Sequence, residues 1–151
     1  MILISGCLSG DNAFYNGTRK VNPEIRKLVE NGEAIPACPE LLGGLLIPRE
    51  RSEIVGGTGK DVLLGKCKVT TECGKDVTRS FVKGAETVLA IAKKHGIKMA
   101  VLKSRSPACG CGEICDGTFT GKLIAGDGVT CALLKMNNIE VISDLQFLKP
   151  K

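Results

Sequence analysis

Three cysteines of this chain lie in loop-like stretches that are flanked by glycine or proline. They are Cys7 in a Ser-Gly-Cys-Leu segment, Cys38 in Ala-Cys-Pro-Glu, and Cys109 in Ser-Pro-Ala-Cys-Gly. Thiolates are soft metal ligands, and three of them from distant loops favour one metal centre. Three protein ligands also leave a coordination position open, as catalytic metal sites do. The three cysteines therefore predict a metal site that a substrate can reach.

The other five cysteines carry weaker signals. Cys111 and Cys115 share a loop with Cys109, so this loop and a distant cysteine also fit a structural zinc site, and that alternative stays open. Cys67 and Cys131 lie on strand-like and helix-like segments, where a thiol is usually a small core side chain. Cys73 lies next to a glycine and is interpreted as a turn residue.

Short apolar segments alternate with helical patterns along the chain, and each cysteine loop follows an apolar segment. The last predicted helix has Asp127 as its cap. Strands are expected at Met1–Ser5, Ala34–Ala37, Ile97–Leu102 and Ile139–Ile142, and helices at Asn22–Gly32, Val77–Lys94 and Gly128–Met136. This alternation predicts an α/β fold, a three-layer and mainly parallel sheet in a single domain over residues 1–151. Ligands bind at the carboxyl ends of such strands, where the three cysteine loops begin.

The middle of the chain is predicted to be less regular. Gly43–Gly59 is rich in glycine and is expected to be a long loop. Leu63–Thr71 and Thr78, on either side of a turn at Cys73, are interpreted as a hairpin. Gly56–Lys60 lacks the spacing of a phosphate-binding loop, and we interpret it as a flexible loop.

Composition excludes several classes of function. The chain has 151 residues and a modest net charge of +5. It has only four Phe, one Tyr and no Trp, and this scarcity of aromatic side chains argues against a surface that stacks nucleic-acid bases. Its apolar runs are too short to span a bilayer, so no membrane association is expected. Eight cysteines without an export signal indicate reduced thiols in the cytoplasm rather than disulfides.

Four ordered motifs together resemble the thiouracil desulfidase family over almost the whole chain. The first two are the Cys7 segment and the stretch from Cys38-Pro39-Glu40 through Gly43-Gly44-Leu45 to Pro48-Arg49. The others are Leu102-Lys103-Ser104-Arg105-Ser106-Pro107-Ala108-Cys109-Gly110 and Asp116-Gly117-Thr118-Phe119. The chain departs from the family pattern at Asn12–Gly17, where Phe14-Tyr15-Asn16-Gly17 replaces an Arg-Tyr-Asp-Gly-like segment.

The resemblance implies a Rossmann-like domain that holds a 4Fe-4S cluster on Cys7, Cys38 and Cys109, with the fourth iron open to the sulfur of a substrate or holding sulfide. It implies an enzyme that hydrolyses the thiocarbonyl of a thiolated pyrimidine, a small nucleobase, without net electron transfer; 2-thiouracil would give uracil and sulfide. It places the catalytic acidic residue on Glu40 and the catalytic serine on Ser106. A carboxylate with a raised pKa suits proton abstraction from water, and a hydroxyl can orient that water or protonate a ring nitrogen. Lys103 and Arg49 would supply positive charge near an anionic cluster or substrate. The alternative is that both are ordinary surface residues.

Two other functions fit the cysteine pattern. One is a sulfur carrier, in which hydrosulfide bound to the open iron is delivered to an acceptor. The other is a non-catalytic zinc or iron-sulfur binding module, in which four cysteines hold the metal and no position is open.

Overall fold

The computed structural model describes residues 1–5, 23–44, 51–104 and 106–147. In these ranges four strands form a parallel sheet in the order β2-β1-β5-β8. The strands are β1 (Ile2–Ser5), β2 (Ala34–Ala37), β3 (Ser52–Val55), β4 (Lys68–Thr71), β5 (Met99–Leu102), β6 (Glu113–Cys115), β7 (Leu123–Ala125) and β8 (Glu140–Ser143). The helices are α1 (Pro23–Glu30), α2 (Pro39–Leu42), α3 (Gly59–Leu63), α4 (Thr78–Lys94), α5 (Val129–Met136) and α6 (Asp144–Phe147). The predicted α/β fold with a mainly parallel sheet is confirmed.

The central sheet is buried on both faces. Successive side chains of its strands point to opposite sides, and helices cover each side. On one face Leu3 belongs to the large apolar core that includes the inner sides of α4 and α5. On the other face Ile4 and Val101 pack with Ile25 of α1. The result is a three-layer arrangement in which helices cover the sheet and leave its strand ends accessible to loops.

The long helix α4 follows directly from its apolar pattern. Phe81, Ala85, Val88 and Ala92 recur every three or four residues and are all buried. Gly96, which has a positive φ of 63°, follows the helix and ends it. None of the helices in the described ranges combines the length and apolar character that a membrane span needs.

The middle of the chain differs from two predictions. The expected loop Gly43–Gly59 contains β3, and the main partner of β4 is β3, with which it pairs antiparallel. In the described residues the expected hairpin is present only as a short one after β4: the bridge of Thr70 to Asp76, the N–H of Val77 bound to the carbonyl oxygen of Val69 at 2.9 Å, and the N–H of Thr71 bound to that of Lys75 at 2.8 Å. The reason is that Ile54 and Val69 are paired and buried, a contact between segments that no local pattern indicates.

Asp127 is not the cap of α5, which corrects a third prediction. Gly128 occupies the cap position, and the helix has no side-chain cap hydrogen bond. The Asp127 carboxylate instead accepts the N–H of Gly112 at 2.8 Å. The loop that follows β5 is also more regular than expected, because it contains the antiparallel pair β6 and β7.

Candidate metal centre

The predicted metal ligands follow strands that are neighbours in the sheet. Ser5, the last residue of β1, lies opposite Ala37, the last residue of β2, and Cys38 comes next in the chain and is half-buried. Cys7 lies two residues beyond β1, outside the described residues. Parallel strands end at one edge of a sheet, so Ser5 and Ala37, the last residues before the two cysteine segments, lie side by side about 5 Å apart.

The third segment begins at the adjacent strand end. In the order β2-β1-β5-β8, the strand that follows β1 in the chain lies on one side of it and β5 lies on the other. In open α/β sheets, ligands bind at such a switch point, at the carboxyl ends of the strands. The Ser5 hydroxyl oxygen accepts the N–H of Lys103 at 2.9 Å and ties these two strand ends together. The chain then continues into the loop of Cys109.

The Cys109 loop is docked on the amino-terminal end of α5. Gly128 donates its N–H to the carbonyl oxygen of Gly110 at 2.8 Å, and Thr130 donates to that of Ala108 at 2.9 Å. These N–H groups would otherwise lack partners at the start of a helix. Cys109 itself is only 5% exposed, so the protein holds this thiol in a fixed and largely buried place.

Ser106 contacts the backbone of the predicted ligand directly. Its hydroxyl oxygen accepts the N–H of Cys109 at 2.7 Å and that of Ala108 at 3.1 Å. A hydroxyl has two acceptor lone pairs and one proton to donate. Ser106 therefore positions Cys109, and its own proton remains to be donated to another group.

Glu40 lies in α2, two residues after Cys38, and its side chain is outside the described part of the structure. Helix α2 packs tightly against α4, where a Cβ atom added to Gly84 would overlap the carbonyl oxygen of Pro39. The close approach requires glycine at this position of α4. It anchors the backbone that carries both Cys38 and Glu40.

Lys103 is paired with a buried carboxylate. Its ammonium nitrogen lies 3.7 Å from an oxygen of Asp144, whose other oxygen accepts the N–H of Ser104 at 2.8 Å. Asp144 is 6% exposed, so its charge is compensated inside the protein. Lys103 thus holds the start of the Cys109 loop against α6, and the second predicted cation, Arg49, lies outside the described residues.

Glu53 is a buried acid that the sequence did not single out. It is 2% exposed; one carboxylate oxygen accepts the N–H groups of Gly117 at 2.9 Å and Phe119 at 3.1 Å. The other oxygen is bound by Arg51 at 3.0 Å. Phe119 has a φ of 58°, which is costly for a residue with a side chain. Glu53 therefore stabilises an unusual backbone in the Asp-Gly-Thr-Phe motif, across 64 residues of sequence.

A further group of potential ligands lies beside the Cys109 loop. The Sγ atoms of Cys111 and Cys131 and a carboxylate oxygen of Asp127 all lie within 4.8 Å of one another. Burial raises the pKa of the Cys131 thiol, and the nearby Asp127 carboxylate adds to this effect. Cys131 is buried in the core cluster, as predicted, but the sequence did not indicate that it lies next to Cys111.

The remaining cysteines are spread over other parts of the structure. Cys67 is half-buried and its thiol contacts the carbonyl oxygen of Thr58 at 3.7 Å, and burial raises its pKa. Cys73 is exposed in the turn after β4, where it was expected. Cys115 ends β6 and is half-buried.

Comparisons with known proteins give a family match, a relative and a solved structure. Residues 2–146 match the family model described as 2-thiouracil desulfurase. The uncharacterized protein YbbK of Bacillus subtilis (strain 168) is 51% identical over 144 residues, which cover 95% of each chain. Among solved structures, the 4Fe-4S-dependent thiouracil desulfidase TudS matches with a TM-score of 0.84 and 40% identity, over 96% of this chain and 91% of that one.

Proposed function

Because this chain belongs to the 2-thiouracil desulfurase family, we propose that it is a 4Fe-4S-dependent desulfidase that hydrolyses the thiocarbonyl group of a thiolated pyrimidine. For 2-thiouracil the products are uracil and sulfide. The observation that carries the proposal is the whole-chain family match, together with three cysteine segments that start at adjacent ends of parallel strands. The similarity to TudS, whose name states the same cofactor and activity, supports it.

The residues at the sheet edge fit a cluster with one open iron. Cys7, Cys38 and Cys109 would hold it, because they are soft donors from three loops and Cys109 is largely buried. When bound, such a cluster supplies a Lewis acid that polarises the thiocarbonyl group and accepts its soft sulfur, with no net electron transfer.

Two side chains are proposed to transfer protons, and one of them, Ser106, also positions Cys109. Glu40, carried by the anchored helix α2 next to Cys38, acts as general base and takes a proton from the attacking water. A base of this kind contributes roughly a hundred- to ten-thousandfold in rate. Ser106 holds Cys109 through its accepted hydrogen bonds and donates its remaining proton to the water or to a ring nitrogen of the substrate.

We propose the cytoplasm as the site of action. Eight cysteines, of which Cys67, Cys111 and Cys131 are free thiols, suit a compartment that keeps thiols reduced. A small thiolated nucleobase is the proposed partner.

The test is anaerobic purification or reconstitution, quantification of iron, acid-labile sulfide and zinc, and incubation with 2-thiouracil. We expect about four irons per chain and formation of uracil with released sulfide. Glu40→Gln should retain the iron and lose turnover, whereas Cys109→Ser should lose the iron. Cys73→Ser, at an exposed turn, is the matched control and should retain both.

Three outcomes would contradict parts of the proposal. Iron without uracil would reject the substrate, and release of sulfur only in the presence of a protein or small-molecule acceptor would indicate a sulfur carrier. Zinc in place of iron, together with indifference to Glu40→Gln, would indicate a binding module.

A further inference from the structure

Cys111, Asp127 and Cys131 form a compact group of donors that the proposed desulfidase chemistry does not use. Cys111 follows Cys109 by two residues, Asp127 precedes α5, and Cys131 lies in its first turn. Their donor atoms lie within 4.8 Å of one another. We propose that these three side chains form a second metal site, which binds a zinc ion next to the Cys109 loop.

The distances suit a zinc ion. Zinc binds thiolate sulfur at about 2.3 Å and carboxylate oxygen at about 2.0–2.2 Å, so its tetrahedral ligands lie roughly 3.5–3.8 Å apart. Donor atoms already within 4.8 Å need to close by about 1 Å, which side-chain rotation can provide. Two thiolates exclude magnesium and calcium, which prefer oxygen ligands only.

The surrounding backbone holds the donors in place. The N–H of Gly112 binds Asp127 at 2.8 Å, and the N–H of Cys131 binds the carbonyl oxygen of Ala108 at 3.2 Å. Both contacts join the segment around Cys111 to the start of α5. The site is therefore largely formed before an ion arrives, which reduces the ordering cost of binding.

The charges of the site would balance with a divalent ion bound. The ammonium group of Lys135 lies 3.1 and 3.2 Å from the two oxygens of Asp127. Zinc binding would displace the protons of the Cys111 and Cys131 thiols into solvent. The two thiolates and one carboxylate then carry three negative charges, and the zinc ion with Lys135 carries three positive charges. Because Cys131 is fully buried, this neutral sum matters: an uncompensated charge there would be costly.

Bound zinc would connect the loop of the proposed cluster ligand Cys109 to α5. Cys111 and Asp127 are half-exposed, so water could supply the fourth zinc ligand. Zinc would thereby stabilise the folded chain independently of the cluster, since an ion that binds only the native state raises its stability.

The test uses the cluster-loaded protein, prepared anaerobically with its thiols reduced by a phosphine and dialysed against zinc. Elemental analysis should find one zinc ion per chain in addition to the full iron content, and zinc should raise Tm. Cys111→Ser and Cys131→Ala should each weaken zinc binding by at least the roughly 10- to 100-fold that loss of an outer-sphere partner costs. Cys67→Ala, which removes another half-buried thiol, is the matched control and should bind zinc like the wild type.

Cadmium in place of zinc gives a second readout that needs no variant. The ¹¹³Cd chemical shift of the wild-type holoprotein should report two sulfur donors together with oxygen donors. No zinc beyond the iron sites, zinc binding that survives Cys131→Ala, or a shift without sulfur donors would each overturn the proposal. A Cys111–Cys131 disulfide that forms with peroxide in a protein that never takes up zinc would also overturn it. Iron content and uracil formation are measured separately, so failure here is distinguishable from failure of the desulfidase proposal.

Discussion

Gly128→Ala tests whether the Cys109 loop depends on its close contact with α5. Gly128 has φ −70° and ψ 171°, which any residue adopts, so alanine brings no dihedral strain. Its added Cβ would, however, lie 2.6 Å from the carbonyl carbon and oxygen of Ala108 and 2.7 Å from the carbonyl oxygen of Pro107. Ordinary contacts begin near 3.4 Å, so the loop and the helix must separate by about 0.8 Å.

The expected magnitude follows from this displacement. Overpacking of this kind costs about 1–3 kcal/mol, and for a chain of this size each kcal/mol lowers Tm by about 2–4 °C. We therefore expect Tm to fall by about 2–12 °C. The larger effect should be on the site, because a displacement near 1 Å in a catalytic arrangement can cost about 100-fold in rate.

The assay combines thermal unfolding of the anaerobic protein with its iron content and its rate of uracil formation. Gly121→Ala is the control, because Gly121 has a positive φ of 84° but no atom within 4 Å of an added Cβ. It should lose about 1 kcal/mol through backbone strain and retain iron and turnover. Equal turnover in the two variants would refute the argument that α5 holds the Cys109 loop in register.

Three further predictions concern residues around the same loops. Glu53→Gln should destabilise the fold by about 1.5–3 kcal/mol, the usual contribution of hydrogen bonds to a charged group. Urea unfolding measures this loss. An unchanged unfolding midpoint would contradict the role of Glu53 as the anchor of the Asp-Gly-Thr-Phe motif. Ser106→Ala should lose iron more readily than the wild type during dialysis against a chelator, because the N–H of Cys109 loses its acceptor, and equal loss rates would show that Ser106 does not position this ligand. Hydrogen bonds from the Thr118 hydroxyl and N–H hold the pKa of Asp116 below its ordinary value of 3.8. The ionised Asp116 carboxylate therefore stabilises the fold at pH values above 3.8. This contribution disappears as the pH falls through the lowered pKa. Tm measured from neutral to acidic pH should therefore fall less steeply in Asp116→Asn, and identical slopes would contradict the assignment.

The family and most regular elements could be predicted from the sequence. The resemblance carried by the cysteine motifs is confirmed by the family match over residues 2–146. Helix α4 and the strands of the central sheet were found because each shows its burial in a short, local pattern of apolar residues. Cys38 and Cys109 follow strands β2 and β5 as expected, and Ser106 contacts Cys109.

Only the tertiary structure decided which distant polar groups meet. Glu53 binds a motif 64 residues away, and Asp127, expected as a helix cap, binds Gly112 and faces two thiols instead. The pairing of β3 with β4 was missed for the same reason. Periodicity reports whether a residue faces the core, whereas the partner of a buried carboxylate or thiol depends on strand order and on how the loops pack, and no local pattern contains that information.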